Sequence, residues 1–295
     1  MFNKNSIKKV NNSAFSLVEL SIVILIIGIL ITGATQGYNL VNSAQISNAR
    51  GITAKSPIPQ TQGLLAWYET SSKESIDQSQ IKEGGQITKW QDISPSSIIN
   101  GNNKLTTTAS ANIAYAKSAI NKIPSIKFTG ASKLSLANFT QGNSAQATIF
   151  LVIKINYLPD TTNYKTIFDG NSADFSFSIK SDAVQLNSGS SAASTSAPNS
   201  FLSFGQYVIA IYFNGSNSKV FVNNTDSPIG GSILNLSAGS NQLTGMTLGT
   251  NRSGTNGFNG FISEVAVFNR VIKSNERKEI FNYLAKKYKI SITGI

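Results

Sequence analysis

Residues 20–49 contain no charged side chain, and the run opens as LSIVILIIGILITGA. A stretch that is apolar on every side has no water-facing surface to offer. In lipid it must satisfy its own backbone hydrogen bonds, which a helix does and an open strand does not. At about 1.5 Å per residue, some twenty residues cross a hydrocarbon core of about 30 Å. One carboxylate, Glu19, stands at the head of the run. An acid inside a bilayer costs about 2.5–3.5 kcal/mol on insertion scales, so Glu19 requires a partner, and the nearest natural one is an amine. Gln36, Asn39, Asn42 and Gln45 enter further along. The pattern predicts one long helix over residues 15–50, lipid-embedded at first and then emerging. Gly28 and Gly33 weaken such a helix in water by up to about 1 kcal/mol each, yet they permit close helix approach in a membrane or filament.

The preceding segment, MFNKNSIKKVNNSA, carries Lys4, Lys8 and Lys9, and no basic residue recurs before Arg50. Positive charge holds a flank on the cytoplasmic side, which directs everything after the helix to the periplasm or the outside. Downstream, the prolines of Ser56-Pro57-Ile58-Pro59 lack amide donors and bias their predecessors to extended geometry. Residues 51–62 are therefore expected to form a linker.

The run Ala14-Phe15-Ser16-Leu17-Val18-Glu19 resembles the type IV prepilin signal. In that family a short basic leader ends in a small residue, a phenylalanine follows, and the fifth mature residue is glutamate before an uninterrupted apolar helix. The resemblance covers about residues 1–50. It implies that a prepilin peptidase at the bacterial inner membrane removes residues 1–14 and methylates the new terminus, which assigns processing and methylation to Ala14 and Phe15. It also implies an assembly role for Glu19, neutralised by the α-amine of Phe15 among other pilin or pseudopilin subunits. The family has glycine where this chain has Ala14, which implies slower cleavage. A secretory signal cut after Thr32-Gly33-Ala34 and an uncleaved single-pass anchor stay open for the same segment, but neither accounts for Glu19.

Of the 295 residues, over 200 lie beyond this helix, enough for a substantial core. The chain has no Cys and therefore no disulfide, unusual for an exported protein and a departure from the many pilins that carry one. It has no His, which excludes a Ser-His-Asp triad, His-liganded zinc and an imidazole base. Net charge is +11. Apart from Lys278, Lys286, Lys287 and Lys289 the basic residues are scattered, with no basic run interleaved with aromatics, so no specific nucleic-acid footprint is present.

After Gly63 short β-rich runs alternate with Ser, Asn, Gly and Thr. Strands are expected at 125–128, 147–155, 164–168, 175–179, 207–213, 219–222 and 258–268, with turns or bulges at Asn214-Gly215 and Asn259-Gly260. Residues 188–200 read as a low-complexity loop. An amphipathic helix begins at Ser274 as N-cap and places Ile280, Leu284 and Tyr288 beside Phe281 on one face. The fold class is mainly β with an N-terminal α-helix: a pilin-type helix, a β-sandwich and a short C-terminal helix. GLLAWYETS, ITKWQDIS, IPSIKFTG, YFNGSNSKVFVNN and the segment from FNGFISEVAVFNR to the last helix resemble the concanavalin A-like, laminin G-like jelly roll. That assigns residues 63–295 to a lectin- or glucanase-type sandwich. Such modules bind carbohydrates or cell-surface ligands, or only support a neighbour, so fold does not decide function.

Glycosidases on related sandwiches need two carboxylates across one sugar-sized gap. No strand here carries alternating acids; Glu264 is alone on its strand, and Glu276 and Glu279 belong to the helix. No enzyme activity and no cofactor are expected. Asp169-Gly170-Asn171 and Asp174 offer oxygens to calcium, but turn chemistry explains them more simply, and no metal is expected. Trp67 and Trp90, the only tryptophans, are candidates for stacking on sugars, although alternation puts Leu65 and Trp67 on one face and favours a core role. Arg270 is a candidate for an acidic ligand or for pairing with a nearby carboxylate. The chain thus reads as a pilin-like or minor pilin/pseudopilin subunit displaying a lectin-like sandwich, for filament assembly, adhesion or secretion. The alternative is a membrane-tethered carbohydrate- or surface-binding adhesin outside any filament. Expected partners are prepilin peptidase, other pilin subunits, the inner membrane, and glycans or another host or cell-surface ligand.

Overall fold

The computed structural model of the protein describes residues 16–100, 103–107, 112–141, 144–156, 162–170, 175–188, 191–196, 204–230 and 241–295. The chain forms two compact units, residues 1–44 and 45–295. Helix α1 (Leu17–Thr53) is continuous over 37 residues. It takes in the first three residues expected for the linker. The two prolines stop it, and Ile58–Gln60 make a 3-10 turn in which Ile58 is wholly buried. That stretch is packed against the second unit's core rather than free.

The second unit contains β1 (Leu64–Glu69), β2 (Lys89–Trp90), α2 (Pro95–Asn100), β3 (Leu105–Thr106), β4 (Ala114–Ile120), β5 (Ile123–Thr129), β6 (Leu134–Leu136) and β7 (Ala147–Ile155). There follow β8 (Lys165–Gly170), β9 (Phe175–Lys180), β10 (Ala183–Ser188), β11 (Ser191–Ser196), β12 (Gly205–Phe213), β13 (Lys219–Val222), β14 (Met246–Leu248), β15 (Asn259–Phe268) and α3 (Ser274–Tyr288). One sheet runs β13-β12-β7-β15-β5-β4, with β1 also paired to β15; the other runs β11-β10-β9-β8-β14-β6-β3-β2. The named strands pair antiparallel throughout.

The first sheet is buried on both faces, and its sequences show why. In β7, Ile149, Leu151 and Ile153 face the inter-sheet core, while Phe150 and Val152 face a second apolar layer made with α3. In β12, Ile209 and Ile211 point inward, and Val208, Ala210 and Tyr212 outward to that layer. Apolar residues at both parities are what a doubly covered strand requires. In β9 and β10 of the second sheet only one parity is apolar: Phe175, Phe177 and Ile179 of β9 and Val184 and Leu186 of β10 enter the core. Their neighbours Ser176, Ser178, Gln185 and Asn187 lie on the opposite face.

Several expectations are corrected. Residues 188–200 include a strand, β11, paired in full register with β10 from Ala183↔Ser196 to Ser188↔Ser191. Backbone pairing holds it, and its Ser/Ala/Thr composition gives no hydrophobic alternation to read. Asn259-Gly260 is not a turn but the start of β15, and Gly260 is needed because a Cβ there would stand 2.3 Å from the Phe258 ring. Leu65 and Trp67 do not share a face. The register shifts between Leu64 and Ala66, so Leu65 joins the inter-sheet core and Trp67 the layer beneath α3. Ser274 is the first helical residue rather than the cap; the cap position is Lys273, whose N–H donates to Glu276 (2.7 Å).

Candidate functional site

At the head of α1, Ser16 occupies the cap position. Its backbone N–H donates to Glu19 Oε2 at 2.9 Å, and its Oγ accepts from the Val18 N–H at 3.4 Å. Ser16-Leu17-Val18-Glu19 thus carries the Glu19 half of a capping box, with the Ser16 hydroxyl serving the second amide rather than the third, a four-residue signal present in the sequence and unused above. It turns the Glu19 carboxylate back to the Ser16 N–H at the start of the helix. Ala14 and Phe15 lie outside the described residues. Along the helix Leu17, Val18, Leu20, Ile24, Leu30 and Leu40 are all more than half exposed. By length and composition the helix is long and apolar enough to cross a membrane.

The three residues proposed for ligand contact are otherwise engaged. Trp67 is 4% exposed and donates from Nε1 to Glu264 at 2.8 Å. Trp90 is fully buried, donates to Ser75 Oγ at 2.9 Å and packs 5.7 Å from Tyr68. Neither presents a ring to a sugar. Arg270 forms a bidentate pair with Glu276 at 2.9 and 2.6 Å, and its Nε donates to the Gln62 carbonyl. Those bonds tie the end of β15 to the start of α3.

A buried ionic cluster was missed. Glu69 and Glu264 are cross-strand partners on β1 and β15, both essentially inaccessible, and Lys287 from α3 reaches each at 2.8 Å. Glu264 also accepts from Trp67 Nε1, Tyr283 OH and Tyr288 OH, and Glu69 from Ser71 and Ser72. Burial pushes the Glu69 carboxyl up, but the Lys287 charge and these hydrogen bonds outweigh it and hold the group below its ordinary range. Burial pushes Lys287 down, while Glu264 and Glu69 raise it well above the usual lysine value. Burial, reinforced by Glu264, keeps the Tyr283 and Tyr288 hydroxyls protonated. Two carboxylates are therefore adjacent after all, yet without access to substrate or water they have the chemistry of a structural lock.

Of the oxygens considered for calcium, Asp169 is buried on β8, while Asn171 and Asp174 lie outside the described residues. Among the described residues no group of three or more acidic, Cys or His side chains is placed to hold a metal.

The prokaryotic N-terminal methylation motif matches residues 9–35. No curated protein matches the chain. Among solved structures, the sialidase of Trypanosoma rangeli in complex with sialic acid is 16% identical, with a TM-score of 0.50 over 77% of this chain and 33% of that one. Domain 4 of AbnA, a GH43 extracellular arabinanase from Geobacillus stearothermophilus in complex with arabinotriose, is 18% identical at TM-score 0.46, covering 74% and 97%. The binding domain of botulinum neurotoxin serotype D/C is 15% identical at 0.49, covering 77% and 53%. The chain spans about a third of the length of the sialidase it matches. At this identity the likeness establishes the fold alone, a concanavalin-like jelly-roll sandwich. The protein joins a pilin-type N-terminal methylation signal and apolar helix to such a sandwich.

Proposed function

We propose that the chain is a pilin-like subunit, of the minor pilin or pseudopilin kind, that is held in the bacterial inner membrane by its helix and enters a filament or pseudopilus through it. The methylation motif at residues 9–35, continuous with a helix whose Leu, Ile and Val side chains are exposed, carries the proposal. An apolar surface of this extent requires a cover. Lipid covers it before assembly, and the helices of neighbouring subunits cover it afterwards. In either setting the Glu19 charge is costly, and removal of residues 1–14 would create an α-amine at Phe15 beside it. The bond from the Ser16 N–H already holds the carboxylate at that end. The sandwich is then displayed as a non-enzymatic module facing the periplasm or the cell surface.

A second reading, a membrane-tethered adhesin outside any filament, is favoured by the sandwich's possession of a complete core of its own. Intact-mass analysis of membrane-extracted protein, with N-terminal sequencing, tests the proposal. A methylated start at Phe15 is expected, accumulating faster in an Ala14→Gly variant. A start near Thr35, or an uncut chain in both proteins, overturns it.

A further inference from the structure

Arg277, near the start of α3, is 8% exposed and carries its charge without a carboxylate at ion-pair distance among the described residues. Glu276, its neighbour in sequence, is held by Arg270, and Asp226 by Lys278 at 2.9 Å. The bonds of the guanidinium all end on neutral acceptors. Nε and Nη2 donate to the Thr225 carbonyl at 2.9 and 2.7 Å, Nη1 to the Tyr212 hydroxyl at 3.0 Å, and Nη2 also to Ser274 Oγ at 3.2 Å. Its Cζ stands 4.1 Å from the centroid of the Phe221 ring. A ring face and carbonyl dipoles ease a buried cation, but they do not cancel it, and an ion taken out of water costs several kcal/mol.

Arg277 and Phe221 line a cavity of about 330 Å³ together with Asn217, Lys219, Pro228 and Val271. Lys219 is half-buried and Asn217 exposed, so a ligand can reach both. Among the described residues neither the Lys219 ammonium nor the Asn217 side-chain amide has a partner. The open groups are therefore donors, and two of the lining residues are cations. A neutral ligand would leave both charges uncompensated. A phosphate group carries about −1.5 to −2 at pH 7, and Asp226, also on the wall, repels a second negative charge. Phe221, Pro228 and Val271 add apolar surface that a bare inorganic ion would not cover. We infer that this cavity is a binding site for a monocarboxylate on a short hydrocarbon body. The carboxylate accepts from Lys219 and Asn217 beside the Arg277 charge, and the hydrocarbon lies against Phe221, Pro228 and Val271. The volume is at the lower end of the roughly 300–1,000 Å³ typical of ligand sites, which suits one acid of amino-acid size. A free acid and the last residue of a peptide share this chemistry. The inference rests on the sandwich alone and is independent of how the helix is used.

The test uses the full chain in a non-ionic detergent at low salt, with calorimetry and saturation-transfer NMR as readouts. Hexanoate and benzoate represent free acids and N-acetylleucine a peptide end; hexanamide, benzamide and N-acetylleucinamide are the uncharged counterparts, and inorganic phosphate is the dianion control. At least one acid is expected to bind in the millimolar range, with its amide about tenfold weaker, the value of one hydrogen bond to a charged group. Tighter binding of N-acetylleucine than of the other two assigns the site to a peptide end, and the reverse order to a free acid. Lys219→Gln is expected to weaken the acid by about tenfold. Asp226→Asn is expected to strengthen it by about threefold, the scale of an exposed charge pair. Neither residue is in the packed core, so both variants report on binding without the folding risk of replacing Arg277. No binding by any of the three acids, amides that bind as well as their acids, phosphate that binds more tightly than every acid, or binding unchanged by Lys219→Gln overturns the inference.

Discussion

Glu69 on β1 and Glu264 on β15 face each other directly across the sheet, and the Lys287 ammonium of α3 lies 2.8 Å from an oxygen of each. One cation thus serves two buried acids, and the surplus negative charge is spread over hydrogen bonds from Trp67, Tyr283, Tyr288, Ser71 and Ser72. The arrangement ties the last helix to the strands at both ends of the sandwich sequence. It leaves no access through which either acid could act on a substrate.

Replacing Lys287 with Met should destabilise the second unit by about 3–5 kcal/mol, because it leaves two carboxylates buried without their cation. The triple variant with Glu69→Gln and Glu264→Gln should recover most of that loss. Urea unfolding followed by tryptophan fluorescence measures both, since Trp67 touches the cluster. A loss under about 1 kcal/mol for Lys287→Met, the range of exposed pairs, would show that the cluster is not sealed.

The same cluster sets a pH window. Glu69 is depressed when folded, so its contribution is present above the ordinary carboxylate pKa of about 4.3 and disappears as pH falls through the folded value. Lys287 is raised, so its contribution is complete below about 10.4 and disappears as pH climbs through its folded value. The cluster's contribution to the melting temperature should therefore be flat between these limits and fall on both sides, and Glu69→Gln should flatten the acid limb. An acid limb of equal slope in that variant would assign the effect to other groups.

Gly257→Ala should cost about 1–3 kcal/mol or more, as overpacking does. A Cβ at that position would stand 1.4 Å from the Gly130 carbonyl oxygen, and backbone cannot swing aside as a side-chain tip can. The two segments are joined by the Gly130 N–H to Phe258 carbonyl bond, so relief would break the entry to β15. Thermal unfolding of the variant beside the parent is sufficient, and an unchanged midpoint would show that this close approach is not required.

Glu19→Gln should leave insertion and leader cleavage intact, since it removes a charge and keeps the size. Incorporation into sheared or cross-linked assemblies, normalised to processed protein in the membrane, should fall about tenfold or more, the equivalent of about 1.4 kcal/mol of lost pairing. A plain anchor would be indifferent to the change or improved by it. Undiminished incorporation would move the weight to the tethered adhesin.

Much of the frame was readable locally. The apolar run, Glu19, the amphipathic last helix and the hairpin that pairs Tyr212 with Lys219 each depend on residues close in sequence. What escaped reading depended on register. Glu264 looked solitary because its opposite number, Glu69, lies on the first strand of the sandwich. Trp67 was assigned the right environment with the wrong neighbour, because one irregularity at the start of β1 inverts the faces that strict alternation would give.

Taken alone, the amino-acid order determined that this chain carries a membrane-grade helix headed by one acid and, after it, a β-rich sandwich domain without thiol or imidazole chemistry. Periodicity and composition act over a few residues, and so they survive in one dimension. Only the tertiary structure decided that Lys287 closes over two distant glutamates. Only it set Arg277 of α3 against the Phe221 ring of β13, in one cavity with Lys219. Both depend on which strands become neighbours and in what register, a choice made by burying the whole apolar set at once rather than by any local stretch.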